Sequence, residues 1–115
     1  MVVAHGRATA AYSVQFTGLL APARIVTDSE AIPHIFAAND HDAMMMLGYA
    51  HARDRFFQMD LLRHQARGTA AELVGKAGLA ADIQLRTFGL RRSAEASLPT
   101  YPDETRALLD AYAAG

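Results

Sequence analysis

The chain has 115 residues, enough for one domain or part of one. A hydrophobic fraction of 51% can supply a core, and a net charge of −1 gives no electrostatic case for nucleic acid or an anionic membrane as partner. The absence of Cys excludes disulfide and thiolate chemistry, and no apolar run approaches the roughly 20 residues of a membrane-spanning helix.

Residues 1–11 show no convincing period and read as a flexible lead-in. Their small residues lack the sustained apolar core of a signal peptide, so the compartment stays open. From Tyr12 the character changes. Tyr12, Val14 and Phe16 alternate with Ser13, Gln15 and Thr17, the period of a strand with one buried face, and Gly18 closes it. Residues 23–27, ARIVT, read as a second strand. Asp28 and Ser29 open a turn, because their side chains bond the neighbouring backbone. Residues 32–38 read as a third strand, antiparallel to the second. Pro33 cannot donate to a ladder, which puts it at a strand start or an edge.

Residues 40–68 carry the longest helical pattern. Asn39 or Asp40 can cap its first turn, and Gly68 can end it in the left-handed conformation. At about 100° per residue, Met44, Leu47, Gly48, Met59, Leu62 and Ala66 share one side. His51, Arg55 and Gln58 fall within that stripe, and Asp54 at its edge. Buried without partners such groups would cost kilocalories each, so partners are expected. The opposite side carries Arg53, Asp60, His64 and Arg67, but also Met46, Tyr49 and Phe57. One reading is a core helix whose few polar residues are satisfied. The other is a helix covered on two sides by something larger.

Beyond Gly68, Thr69 and Glu72 have capping-box spacing before a short helix that ends at Gly75, and residues 76–78 read as a loop. Residues 79–97 read as a helix that Gly89 weakens. Residues 98–102 break it. Pro102 suits the first position of a last helix, Asp103 and Glu104 suit its positive end, and Gly115 can cap its other end. The fold class is therefore α+β: a β-hairpin layer followed by one long helix and further helices.

The residues alone give no catalytic centre. His51 and Asp54 could share a helix face, but Asp60 and His64 lie too far round to complete a metal site, and no HExxH-type spacing occurs. No Ser has a nucleophile-elbow context, and Ser13, Ser29, Ser93 and Ser97 read as strand, turn and helix-surface residues. No phosphate-cradling glycine motif is present. Asp54 and Arg55 beside Gln58 and Arg63 read as a structural network of ion pairs and hydrogen bonds.

Three consecutive blocks together resemble the start of the penicillin acylase family of N-terminal-nucleophile amidohydrolases. They are RIVTD followed by IPHIFA, from Arg24 to Ala37; LGYAHARDRFFQMD, from Leu47 to Asp60; and RGTAAELVG, from Arg67 to Gly75. RTFGLRR from Arg86 and LLDAYAAG from Leu108 are also similar, and the likeness extends over roughly residues 19–115. Two departures stand out. The family turn before PHI usually carries an aromatic residue and a Gly, where this chain has Glu30 and Ala31. A Gln is usual where Arg53 stands.

The resemblance implies that residues 12–115 are part of the α subunit of an αββα hydrolase, cut from one precursor and paired with a larger β chain. It implies hydrolysis of a small N-acylated substrate by a nucleophile at the start of that β chain. Calcium is common in the complete enzymes, though held outside this region, and many are periplasmic or secreted. No catalytic, substrate-binding or metal residue is assigned here. Asp28, His34, His51, Asp54, Arg55, Gln58 and Arg63 are the candidates for a structural or interchain network. The alternative is a non-catalytic helical interaction module or a truncated acylase relative.

Overall fold

The computed structural model describes residues 2–5, 8–13 and 15–115, with side chains from Gln15 onward. Strands β1 (Val2–His5), β2 (Ala8–Ser13), β3 (Arg24–Thr27) and β4 (Pro33–Phe36) form one sheet in the order β2-β1-β3-β4. The helices are α1 (Asp40–Arg67), α2 (Ala71–Val74), α3 (Leu79–Phe88), α4 (Leu90–Ser97) and α5 (Asp103–Ala114). The chain divides into two compact units. One comprises Met1–Asp54 with Asp103–Gly115, the other Arg55–Pro102.

In the first unit β3 and β4 are the expected antiparallel hairpin, with Ile25 opposite Ile35. Pro33 opens β4, an edge strand, where its missing amide breaks no ladder bond. The start of the chain differs from expectation. Residues 1–11, read as an irregular lead-in, contain β1 and most of β2, and β1 runs parallel to β3. The strand expected over 12–17 keeps only Tyr12 and Ser13 within β2, and Val14 lies outside the described residues. An Ala-rich stretch such as β2 has little period to read, and the parallel partner of β1 is β3, which is distant in sequence.

Ala23, Ile25, Met45, Met46 and Ala50 form the core of this unit, with Phe16, Leu19, Ile35 and Tyr49 packed against them. Full burial of a side chain such as Ile25 contributes about 1.5–3 kcal/mol. The Phe16 and Tyr49 rings meet edge-to-face at 4.8 Å. α5 crosses α1 in backbone contact. A Cβ on Gly48 would lie 2.0 Å from the Tyr112 carbonyl oxygen.

The turn before β4 carries the strain that its missing Gly suggests. Ala31 has φ 65°, the only positive φ at a non-glycine among the described residues. An L-residue there costs about 1–2 kcal/mol. We expect Ala31→Gly to raise the urea midpoint, with a net gain of about 1 kcal/mol after the extra chain entropy of Gly is subtracted.

α1 has the expected limits. Asn39 Oδ1 accepts from the Asp42 amide at 2.8 Å, which caps the first turn. At the other end Gly68 has φ +68°, its amide bonds the Gln65 carbonyl and the Thr69 amide bonds the His64 carbonyl, a Schellman ending. The single regular helix is corrected at one place. Arg55, at φ −139° and ψ 22°, leaves helical geometry, and the division between the two units falls there. Burial also departs from the apolar stripe: Met46, placed on the opposite side, is fully buried, whereas Leu62, placed in the stripe, is 63% exposed.

In the second unit Gly89, at φ 70° and ψ 32°, splits the helix expected over 79–97 into α3 and α4. The loop expected over 76–78 is a 3₁₀ turn, Gly75–Gly78, that leads directly into α3. The capping box of Thr69 and Glu72 does not form. The Thr69 hydroxyl instead lies 2.9 Å from His64 Nδ1, and the start of α2 is capped by Asp82, a distant residue. In the first unit α5 begins one residue after Pro102 rather than on it, and the Gly115 amide bonds the Ala111 carbonyl at its end.

Candidate functional site

Asp28 closes the hairpin turn between β3 and β4. Its carboxylate accepts from the Glu30 and Ile32 amides, each at 2.9 Å, and meets His34 Nε2 at 2.8 Å. These bonds, that to His34 first, hold its pKa below the ordinary value of 3.8. The two candidates Asp28 and His34 are thus brought together, in an arrangement suited to fixing a turn.

Asp42 was not singled out in the sequence. Its side chain is completely buried, and it accepts from the amides of Leu20 and Ala21 at 2.9 Å and from Asn39 Nδ2 at 2.8 Å, with His41 Nδ1 at 3.1 Å. The Leu20 amide is the largest influence. Desolvation opposes it, while His41, Asn39 and Ala21 add to it, and the carboxyl is lowered to about 2. The ionised form is thus favoured by folding. This contribution is complete above the ordinary pKa of 3.8 and is lost as pH falls towards about 2. Asp28 acts in the same direction. We expect the urea midpoint to fall through that window, and Asp42→Asn to remove much of the acid dependence while lowering stability at neutral pH.

His51 Nδ1 lies 2.8 Å from the Tyr112 hydroxyl, which ties α1 to α5. Asp54 forms a two-pronged pair with Arg53, Nε at 2.6 Å and Nη2 at 2.7 Å, and the Arg53 guanidinium lies 5.9 Å from the Tyr49 ring centre. The residue that departs from the family's usual Gln therefore supplies a partner of Asp54. Arg55, Gln58 and Arg63 are exposed, and among the described residues their side chains make no hydrogen bond or ion pair. Beside them Phe56 and Phe57 are 64% and 67% exposed. This half of α1 presents aromatic rings and unpaired donors to solvent, the composition of a surface that a partner covers.

Among the described residues no three His, Cys, Asp or Glu side chains gather to hold a metal ion. Ser29 and Ser93 are exposed, and the Ser97 hydroxyl donates to the Ser93 carbonyl at 2.9 Å. No helix of the described residues is long and apolar enough to cross a membrane.

The penicillin amidase family model matches residues 22–115. Penicillin acylase 2 proenzyme of Pseudomonas sp. is 41% identical over 103 residues, 90% of this chain and 13% of that protein. Acyl-homoserine lactone acylase QuiP of Pseudomonas aeruginosa is 37% identical over 85% of this chain and 12% of its own length. A thermostable penicillin G acylase from Alcaligenes faecalis has a similar structure, with TM-score 0.70 and 30% identity over 81% of this chain and 50% of that one. The chain spans about an eighth of the length of these curated relatives. The family match covers most of the sequence, the turn, the long helix and the RGTAAELVG segment included, and the chain belongs to the penicillin amidase family.

Proposed function

We propose that this chain is the front part of the α subunit of an amidohydrolase that cleaves N-acylated substrates. The supporting observation is its 41% identity to a penicillin acylase proenzyme across nearly its whole length. In this reading a nucleophilic oxygen at the start of a separate β chain attacks the amide carbonyl carbon. The C–N bond breaks, the amine leaves with a proton, and water then frees the acid from the acyl-enzyme. The αββα architecture is completed by that chain. The chain described here supplies framework: the hairpin fixed by Asp28 and His34, the α1–α5 tie, and the exposed half of α1.

On this reading Phe56, Phe57, Arg55, Gln58 and Arg63 are covered by the β chain, so the wide exposure of α1 belongs to the uncombined chain. A non-catalytic interaction module would also need a partner over these large apolar side chains, and the likeness to acylases along the chain favours the subunit reading. The whole protein is expected to release free acid and amine from penicillin G or from an N-acyl-homoserine lactone, measured by chromatography, while the 115-residue chain alone releases neither. Failure of the whole protein on both substrate classes would remove the reading. Arg55→Ala in the precursor should lower the yield of processed subunits several-fold on a denaturing gel, with the specific activity of whatever matures unchanged. Normal processing would count against the interchain role.

A further inference from the structure

The second unit holds a cavity of about 420 Å³ that none of the preceding roles uses. Arg67 from the end of α1, Arg86 from α3, and Arg91 and Arg92 from α4 line it, with Glu95 as the single carboxylate. Gly89 makes this convergence possible, because its left-handed conformation turns the chain between Arg86 and Arg91. Two of the four arginines have local duties. Arg86 Nε donates to the Gly68 carbonyl at 2.7 Å, supporting the end of α1, and Arg91 Nε pairs with Glu95 at 2.7 Å. Arg67 and Arg92 make no side-chain hydrogen bond or ion pair among the described residues. Four arginines against one glutamate, all of them solvent-exposed, line this space with an excess of positive charge that an anion placed there would relieve.

The walls narrow the choice of anion. Ala66, Leu85 and Leu90 line the same cavity, so a ligand with an apolar stem has surface to cover there. A guanidinium fork matches the two oxygens of a carboxylate, and Glu95 already bonds Arg91 through one nitrogen and one oxygen. We propose that the cavity is a carboxylate site, taking a carboxylate on a short aliphatic stem, with Arg67 and Arg92 as its principal donors. Two sources share that chemistry: a free aliphatic acid, and a Glu or Asp side chain from polypeptide outside these 115 residues. The inference goes beyond the amide-hydrolase reading and does not depend on it.

The test uses the whole protein as its own cell makes it. Sodium hexanoate is titrated by calorimetry at constant ionic strength, with chloride as the control anion. A crystal structure grown without added carboxylate then identifies any occupant. Saturable hexanoate binding, weakened about tenfold or more by Arg67→Gln with Arg92→Gln, supports a free ligand. A polypeptide carboxylate seated on Arg67 or Arg92, with no hexanoate heat until that residue is replaced by Ala, supports the internal source. A cavity that contains no carboxylate and binds no hexanoate overturns the proposal, as does binding indifferent to the arginine changes. Glu95→Gln keeps the test alive if the arginine variants fail to fold. It frees Arg91 and should tighten hexanoate severalfold, in the internal case once the seated carboxylate has been replaced; unchanged or weaker affinity overturns the site. Hydrolytic assays are run separately, so loss of either idea leaves the other standing.

Discussion

Gly48→Ala is expected to destabilise the first unit by about 3 kcal/mol or more, at the upper end of what overpacking costs. In an open helix the same change would stabilise by about 1 kcal/mol, because Ala has the better helix propensity. The contact therefore decides the sign. A Cβ at Gly48 falls 2.0 Å from the Tyr112 carbonyl oxygen and 3.0 Å from its carbon, and the obstacle is backbone, which cannot swing aside as a flexible side chain can. α5 must move away from α1, and that movement also pulls the Tyr112 hydroxyl from His51. Gly75→Ala is the control. Gly75 has φ +70° and ψ −157°, a region essentially reserved for glycine, but nothing within 4 Å of an added Cβ, so it isolates the backbone cost alone, about 1–3 kcal/mol. Urea titrations should rank Gly48→Ala below Gly75→Ala. A Gly48→Ala protein more stable than the wild type would mean that the helices do not cross at this point.

The difference between these two glycines marks what could be read from the sequence. Gly68 closes a helical pattern, and its role as a chain break follows from local spacing; Gly89 reads only as a weak point in one helix, which it splits in two. Gly48 lies inside a pattern, and its use depends on a helix more than sixty residues later. The hairpin and both limits of α1 were legible because each is governed by neighbours in sequence, whereas the strain at Ala31 was signalled by the Gly usual at that turn in the family the chain resembles. The kink at Arg55 was not. Its flanks, Asp54 and Phe56, are ordinary helix residues, and the change of direction coincides with the division between two units. Polar residues in an apolar stripe were noticed on α1; within the described residues His51 and Asp54 have side-chain partners, whereas Arg55, Gln58 and Arg63 have none. Periodicity assigns a residue to a face, while what covers that face depends on the rest of the assembly.

The two buried aspartates are the most informative omissions. Asp42 and Asp82 each accept from a pair of consecutive backbone amides, Leu20 with Ala21 and Ala70 with Ala71. A short acid near the start of a helix normally reads as a favourable charge for that helix's own dipole. Here each carboxylate is aimed at a different segment, 21 or 22 residues away for Asp42 and 11 or 12 for Asp82. Nothing in local spacing distinguishes the two uses. The clamps explain how irregular backbone can be held: the carboxylate satisfies amides that no ladder or helix reaches.

Asp82→Ala is expected to cost the second unit about 3–5 kcal/mol. Asp82 is 4% exposed and Ala70 is likewise 4% exposed. Both amide bonds are 2.8 Å long, and a hydrogen bond to a charged group contributes about 1.5–3 kcal/mol. Substitution leaves two amides at the start of α2 without a partner, and α2 has no side-chain cap of its own to replace them. Its four residues cannot sustain a helix without that anchor, since isolated helices shorter than roughly 12 residues are marginal in water. The Schellman ending of α1 at Gly68 is held separately by Arg86, so it should survive. Amide hydrogen exchange therefore gives a sharper readout than global melting. Protection should fall at Ala70, Ala71 and through α2, while the amides of Gly68 and Thr69 keep theirs. Asp82→Asn should fall between the two proteins, because an amide oxygen still accepts one bond but without the charge. Uniform loss of protection across the second unit would instead mean that Asp82 supports the whole unit, and unchanged protection at Ala70 would dispose of the clamp.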